Sequence, residues 1–593
     1  MCGIAGIVNW RGTPSADIVG LMTAALAHRG PDDCGVLALN NAALGHRRLS
    51  ILDLSTRARQ PMSSPDGRYH IVYNGEMYNF QSIKKELTAN GVRFSTTSDT
   101  EVFLYSYITY GKACLQKFNG MFAAAIWDNK ERTLFLARDR FGKKPLYYCR
   151  NSEHAISFAS ELTAFQHNPE VHLKYSLEAI NCYLAIGYIL SPMSIYQNIY
   201  KLKPAHYMLI SNDGKSTENN CYWDYAESFR KHNHDTAADI KSNLLELLKD
   251  SVSMRMVSDV PVGAFLSGGV DSSSIVSLMR PHCRDGLHTF SMGFNLAGYS
   301  ELTDAEYTAG YLHTCHHQEV CRADDANLLH RAVDSYDEPF SDSSLVPTFA
   351  VSQLAARHVK VVMSGDGADE LFAGYITYKA DQYRRFTGLI PRYIKQKLAD
   401  LRVSYSEQKL DTRYKVRQFA YGALGTPDES HYAWRLIFRP EERVQLMGIK
   451  HRDLVYDTDP SKIFSKYYAQ TEGFDRISTF LYVDGMTWLP DDILYKVDRA
   501  SMHWGLEVRC PYLDYRIAEY AAGIPGKLKL NGLRTKYILK QALSGVLPKY
   551  TLRKKKSGFN APVGSWIPNL REIDEHRAFN EYVYHRKVSE NAV

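Results

Sequence analysis

Leu266-Ser267-Gly268-Gly269-Val270-Asp271-Ser272-Ser273 combines two glycines, three hydroxyls and one carboxylate in a single short stretch. Glycines permit unusual φ angles and let a backbone approach an anion closely. If a strand feeds this turn and a helix follows it, backbone N–H groups gather at the positive end of a helix dipole, where phosphate binds. Ser267, Ser272 and Ser273 add hydroxyl donors. Asp271 repels a bare phosphate, so it suits a divalent cation that bridges to one. The loop is not of the lysine-bearing G-x-x-x-x-G-K-[ST] type, because no such lysine follows. A ligand-free serine-rich turn is the competing reading, and a lone Ser-Gly-Gly would favour it.

A second chemistry is available at Met1-Cys2-Gly3-Ile4-Ala5-Gly6-Ile7-Val8. With Met1 removed, Cys2 carries a thiol nucleophile and a free α-amine on one residue. That amine titrates near ~8, so it is partly neutral at pH 7 and can serve as the base for the thiol. An ordinary apolar first strand is the competing reading, and position 2 alone favours it. The residues that follow reverse the balance. They include His28-Arg29-Gly30-Pro31-Asp32, Gly45-His46-Arg47-Arg48 with an apolar strand-like run through Ile51, Tyr73-Asn74-Gly75-Glu76, and Ser98-Asp99-Thr100-Glu101 at the head of a helical pattern. The guanidinium of Arg48 has the shape to pair with a carboxylate, although alone it reads as a solvated strand-end charge. Asn74-Gly75 alone reads as a hairpin turn.

These residues need elements to hold them. Residues 260–265 are apolar and predict a buried strand into the glycine loop, and residues 274–279 predict the first turns of a helix. The whole Ser-Gly-Gly-Val-Asp-Ser-Ser run after an apolar strand resembles the pyrophosphate loop of the ATP pyrophosphatase family, which splits ATP to AMP and pyrophosphate. Strand and helix patterns then alternate: a strand at 288–294, a helix from Ser300-Glu301 through Leu312, and a strand at 359–363. Such alternation predicts a doubly wound parallel sheet. The strand at 359–363 runs into Ser364-Gly365-Asp366-Gly367-Ala368-Asp369-Glu370, a second glycine turn loaded with carboxylates. Ligand crevices of open α/β sheets lie at the carboxyl ends of strands. The two loops are therefore predicted to converge, one for phosphates and one for metal and adenylate chemistry. Upstream, residues 120–128 and 136–142 read as strands ending in turns, and a helical period begins at Ala237.

The ordered motifs of the first third resemble the class II glutamine amidotransferase domain, an N-terminal-nucleophile hydrolase, over about residues 2–210. The resemblance implies hydrolysis of glutamine to glutamate and ammonia through a Cys2 thioester. It implies a glutamine pocket of Arg48, Leu49, Ser50, Ile51, Leu52, Asn74, Gly75, Glu76 and Asp99. Arg48 pairs with the substrate α-carboxylate in that reading, and Glu76 and Asp99 hold its α-ammonium. Asn74 and the Gly75 N–H form the oxyanion hole, where donors aimed at developing charge contribute most.

The remainder, about residues 235–593, resembles the asparagine synthetase B family. The resemblance rests on Ser364–Glu370 with Leu371-Phe372-Ala373-Gly374-Tyr375, on Tyr336-Asp337-Glu338-Pro339, and on Leu489-Pro490-Asp491-Asp492. It rests also on Lys496-Val497-Asp498-Arg499-Ala500-Ser501-Met502, Glu507-Val508-Arg509-Cys510-Pro511 and Lys556-Ser557-Gly558-Phe559. It implies that Leu266 and Met292 border adenine and ribose. Ser267, Gly268, Gly269, Asp271 and Ser272 surround the phosphates, Ser364 and Gly365 contact the adenylate, and Asp271 and Asp369 hold Mg²⁺. Lys556 neutralises phosphate charge during adenylation, as a mobile point charge can. Asp366 stands where many members have Glu, which leaves open whether it acts as a base or contacts metal or substrate. His313-Thr314-Cys315-His316-His317 with Cys321 is rich in ligand types but lacks the spacing of a tetrahedral site, and it aligns with the family's helix-to-strand turn. Residues 377–480 form a charged, aromatic, helical insertion that carries no recognised motif.

At 593 residues the chain is too long for one core. The expected fold is therefore an αββα N-terminal-nucleophile sandwich followed by a doubly wound parallel-sheet domain with a helical insertion. A net charge of +6 is small for this length and makes no case for nucleic acid. No apolar run approaches the ~18 residues of a membrane span. The N-terminus lacks a signal pattern, and ten scattered cysteines suit reduced thiols. A cytoplasmic enzyme is expected, with glutamine, ATP and an acceptor carboxylate as small-molecule partners, Mg²⁺ as cofactor, and a homodimer as a candidate assembly. The expected overall reaction is glutamine-dependent amidation through an acyl-adenylate. Aspartate is the default acceptor, and a sugar acid or other biosynthetic carboxylate is the alternative. A regulatory protein with uncoupled sites leaves Cys2 and the full set of metal carboxylates without a reason, and a nucleic-acid-modifying pyrophosphatase would need a basic domain or a paired cysteine motif that the sequence does not carry.

Overall fold

The computed structural model describes every residue except 212, 284–285, 297–298, 323–325, 402, 404–411, 555–557, 559–560, 568–573 and 589–593. In the first third, successive strand residues face opposite ways, and both faces are apolar. Val72, Ala123, Ala125 and Trp127 enter one core, whereas Ile71, Tyr73, Ala124 and Ile126 enter another. A strand apolar on both faces must be covered on both, and four layers do this.

Two six-stranded antiparallel sheets stack face to face. One is ordered Ile199–Lys201, Tyr147–Ser152, Ala155–Ala159, Gly3–Asn9, Ala42–Arg48, Asp33–Ala38. The other is ordered Ser216–Cys221, His206–Ser211, Thr133–Arg138, Gly120–Asp128, Tyr69–Met77, Met62–Ser63. Ile4, Val8, Leu44, Val72 and Leu136 fill the space between them. Helices Phe80–Ala89 and Asp99–Tyr110 cover the second sheet through Leu87, Val102 and Phe103, and helix Ala16–Ala24 covers the first through Val19 and Met22. The result is an αββα sandwich. Its second sheet extends beyond residue 210, because the chain turns back after Ser211 and pairs Ser216–Cys221 with His206–Ser211.

One local expectation fails here, and one competing reading falls. Residues 49–51 are not strand, since the strand ends at Arg48. Arg48 gathers the carbonyls of Leu52, Asp53 and Ser55, which bends the chain out of the sheet. Asn74-Gly75 is not a hairpin turn but lies inside strand Tyr69–Met77, with Gly75 opposite Phe122. A Cβ at Gly75 would stand 2.2 Å from the Met121 carbonyl oxygen, so glycine is required by close strand approach.

The second half is built on a five-stranded sheet ordered Cys315–Cys321, His288–Phe294, Val262–Phe265, Val361–Met363, Glu507–Arg509, and every pair is parallel. The strand order reverses at Val262–Phe265, whose neighbours continue the chain in opposite directions. That is the switch point at which α/β sheets open a crevice. The following helix runs Val270–Met279, so Asp271 and Ser272 lie in its first turn. Gly268 has φ +68°, and a Cβ there would meet the Asp304 backbone at 2.4 Å. Between Ile376 and Met486 the described residues form helices and no strands. These helices join the main core through Tyr432, Phe464 and Phe480. Among the described residues no helix is long and apolar enough to cross a membrane.

Candidate functional site

The central strand Gly3–Asn9 places Cys2 beside strand Tyr69–Met77, and Cys2 N donates to Asn74 Oδ1 at 2.9 Å. Cys2 and Asn74 are both buried. Asn74 Nδ2 is buried without a hydrogen-bond partner among the described residues. An orphaned donor is costly unless something fills it, so a developing negative charge beside Cys2 would satisfy it. Burial pushes the Cys2 thiol up. The chain-terminal ammonium, a backbone hydrogen bond at Leu49 and the charge of Arg48 pull it the other way.

Arg48 is buried, and its guanidinium donates to the carbonyls of Ser55 at 3.0 Å, Leu52 at 3.2 Å and Asp53 at 2.5 Å. Those partners fix its position without neutralising its charge. Asp99 Oδ2 accepts from Tyr73 Oη at 3.0 Å and Met77 N at 2.9 Å. Burial raises the Asp99 carboxyl to about 6, against those two hydrogen bonds. Burial and the neighbouring Asp99 push Glu76 far above the usual carboxylate range, with Arg509 opposing from 3.4 Å. Two buried carboxylates that disfavour each other's charge make a place for a cation.

In the second half, the two glycine loops face a common cavity of about 530 Å³. Leu266, Ser267, Asp271, Ser272, Met292, Ser364, Gly365, Asp366 and Asp369 all line it. Gly268 and Gly269 are not among its lining residues, and Lys556 lies outside the described residues. Ser267 and Ser272 are tied by their hydroxyls at 3.0 Å, and Ser364 Oγ donates to Asp366 Oδ2 at 2.7 Å. A Cβ on Gly365 would fall 2.8 Å from Asp271 Cβ, so glycine lets the loops touch. Asp271 Oδ2 and Asp369 Oδ1 both lie 2.6 Å from Lys536 Nζ.

Several groups in or beside the cavity escaped the sequence reading. Lys536 sits in a segment with no motif, at φ +52°. Lys496 bonds Asp342 at 2.6 Å and Ser344 at 2.7 Å. Its motif is visible in the sequence, but its partners are more than a hundred residues away. The helical insertion contributes Trp434, Arg435, Leu436 and Tyr414 to the wall. Arg435 pairs with Asp484 at 2.5 Å and lies over the Trp488 ring, 4.4 Å from its centre.

The two centres meet at strand Glu507–Arg509. It is the edge strand of the parallel sheet. Glu507 Oε2 is 3.1 Å from the Met1 ammonium, and Arg509 joins Glu507 at 2.6 Å and Glu76 at 3.4 Å. Arg29 donates to the Cys2 carbonyl at 3.1 Å while pairing with Glu161 at 2.7 Å and Asp498 at 2.8 Å. A cavity of about 10 Å³, lined by Val497, Ser501, Val508 and Cys510 among others, lies beside the same strand.

A family model described as asparagine synthase matches residues 243–591, and one described as a glutamine amidotransferase domain matches residues 1–223. A glutamine-hydrolysing asparagine synthetase of Bacillus subtilis is 33% identical, covering 98% of this chain and 91% of that protein. Another from the same strain is 30% identical, covering 96% and 90%. Amidase chry2 of Gibberella zeae is 27% identical, covering 95% of this chain and 90% of that one.

Proposed function

This chain belongs to the asparagine synthase family and is an enzyme of glutamine-dependent amidation, and from that premise we propose that it converts L-aspartate, L-glutamine, ATP and water to L-asparagine, L-glutamate, AMP and diphosphate. In this reading Met1 is removed and the freed Cys2 amine takes the proton of its own thiol. The thiolate attacks the glutamine amide carbon. Asn74 Nδ2 and the Gly75 N–H receive the oxyanion, and ammonia leaves as the thioester forms. Water then releases glutamate. Arg48 holds the substrate carboxylate, and Glu76 with Asp99 holds its ammonium.

In the large cavity an aspartate carboxylate attacks the α-phosphorus of ATP, pyrophosphate leaves, and an acyl-adenylate remains. Ser267, Ser272 and the first turn of helix Val270–Met279 hold the pyrophosphate, and Ser364 with Gly365 borders the adenylate. Asp271 and Asp369 already converge on one cation, the Lys536 ammonium, and two carboxylate oxygens are the hard donors that Mg²⁺ takes. When bound, the metal supplies charge neutralisation at the phosphates. Lys536 supplies one fixed positive charge to the same place, and Asp366 contacts the reacting acid or its cation. Ammonia displaces AMP and gives the amide.

The observation that carries the reading is strand Glu507–Arg509, which belongs to the nucleotide sheet and whose Arg509 stands 3.4 Å from Glu76 of the glutamine pocket. Ammonia released into water becomes ammonium and loses its nucleophilicity, so the two centres require a shielded route. A cavity of about 10 Å³ at Val508 and Cys510 stands beside the same strand. The reading places the enzyme in the cytoplasm, where its ten free thiols stay reduced.

A second reading concerns the acceptor alone. The wall formed by Trp434, Trp488, Tyr414 and Leu436 is more apolar than a four-carbon diacid needs, which favours a larger carboxylate carried through the same chemistry. The test is pyrophosphate release with ATP, Mg²⁺ and glutamine, with and without L-aspartate. Strong stimulation with asparagine formed supports aspartate. Glutaminase activity without that stimulation refutes aspartate and moves the reading to the larger acceptor.

A further inference from the structure

We propose that His288, His317 and His358 form a binding site for one divalent transition-metal ion of the zinc class, on the side of the parallel sheet away from the nucleotide loops. His288 opens strand His288–Phe294, His317 lies in the neighbouring strand Cys315–Cys321, and His358 follows helix Leu345–Ala356 just before strand Val361–Met363. Ser267 and Ser364 leave the carboxyl ends of their strands, whereas His288 and His358 stand at the amino ends. The cluster is thus separate from the cavity that holds Asp271 and Asp369.

One nitrogen from each ring lies within 4.8 Å of the other two. His288 Nδ1 is 3.0 Å from His317 Nε2, and the His317 and His358 ring centres are 4.0 Å apart. With Zn–N bonds of about 2.0–2.1 Å, two nitrogens of a tetrahedral site stand about 3.3 Å apart. The spacing is near that of a tetrahedral site, and the rings, which now lie within 16–31° of parallel, must turn to aim three lone pairs at one ion. His358 is exposed, and the other two are half-buried, so the rings have room to turn and a water can complete the site.

The chemistry of the donors selects the ion. Three imidazoles suit Zn²⁺, Co²⁺, Ni²⁺ or Cu²⁺, whereas Mg²⁺ and Ca²⁺ take oxygens. Glu319, two residues beyond His317, is engaged by Arg357 at 2.7 Å and leaves the histidines as the donors. Only one of the three lies in the ligand-rich run from His313 to Cys321. His316 turns to the other face, where Thr289 Oγ1 lies 3.0 Å from its Nδ1. Spacing along that run therefore conceals the set, because two of its members come from other segments. A bound ion would join two strands and the connection into a third, acting as a staple of the sheet edge and not as a participant in amidation.

The test uses the full-length chain without a histidine tag, stripped with a chelator. It is titrated with Zn²⁺ by calorimetry and with Co²⁺ by visible absorption. We expect one Zn²⁺ per chain, a tetrahedral Co²⁺ spectrum, and a thermal transition raised by Zn²⁺. His317→Ala and His358→Gln are each expected to weaken binding about tenfold or more, while His316→Ala and Cys321→Ser bind as the parent does. His358→Gln changes an exposed side chain and so tests the site without a folding penalty, with glutaminase activity as the control for integrity. No stoichiometric binding, or binding that survives in the His317→Ala/His358→Gln double variant, would overturn the proposal.

Discussion

Asn74 offers the sharpest test of the glutaminase chemistry, because one side chain carries an acceptor and a donor that substitution can separate. Its Oδ1 accepts from Cys2 N at 2.9 Å, and its buried Nδ2 has no partner among the described residues. Asn74→Asp keeps an acceptor for Cys2 and replaces the donor with a second oxygen. Asn74→Ala removes both. Losing one oxyanion donor costs about 10²–10³ in turnover, or about 2.7–4 kcal/mol of transition-state stabilisation. The aspartate variant should lose at least as much, since an oxygen then faces the developing negative charge. The loss is expected in kcat more than in KM, because the donor acts on charge that exists only in the transition state. The assay is glutamate release, with ammonia-driven pyrophosphate release measured on the same preparation. The ammonia-driven rate should be unchanged, which separates a chemical defect from a folding defect. If either variant keeps more than about a tenth of the parent glutaminase kcat, Asn74 is not an oxyanion donor of the usual strength and the assignment fails.

Four further outcomes are expected. Asp99 is raised to about 6 by burial; below that pH it is neutral and loses its hold on an ammonium. The KM for glutamine should therefore rise as pH falls through about 6, with a flat profile for Asp99→Asn and no such rise in the ammonia-driven reaction once its KM is expressed as free NH3. Lys536→Met removes the ammonium that Asp271 and Asp369 share; adenylation, read as acceptor-dependent pyrophosphate release, should fall about 10²-fold or more while glutaminase activity is kept. Arg29→Met removes one partner from a fully buried pair with Asp498. It should cost about 3–5 kcal/mol in urea denaturation, towards the lower figure because Lys144 still faces Asp498 at 3.3 Å. Arg435→Ala should raise the KM for the acceptor and leave those for ATP and glutamine unchanged, and an unaltered acceptor KM would remove the insertion from acceptor recognition.

What was legible in the chain follows from how far apart cooperating residues lie. Ser267, Asp271 and Ser272 work within one turn, and Ser364 through Asp369 within another, so glycine positions and carboxylate spacing disclose them locally. The alternation of apolar runs likewise announces a parallel sheet, whose switch point then dictates that the two turns converge. The sandwich is less open to inspection, because strands apolar on both faces carry no alternating polar pattern to mark them. Asn74-Gly75 misleads for a related reason. The pair favours a turn in isolation, yet Gly75 serves a strand whose neighbour approaches within 2.2 Å of where its Cβ would be. Long-range partners leave no local trace at all. Lys536 meets Asp271 across 265 positions, and Arg29 meets Asp498 across 469. A lysine or arginine carries the same letter whether it is solvated or buried against two carboxylates, and only packing decides between these. The same rule explains both Arg435 and the histidine cluster: the insertion announces helices but not which face closes the cavity, and His288, His317 and His358 become neighbours only through strand order. Fold and loop chemistry are thus encoded in short windows, whereas coupling between the two centres is encoded in pairs. The strand Glu507–Arg509 is where those pairs concentrate, and substitutions there should disturb both activities at once.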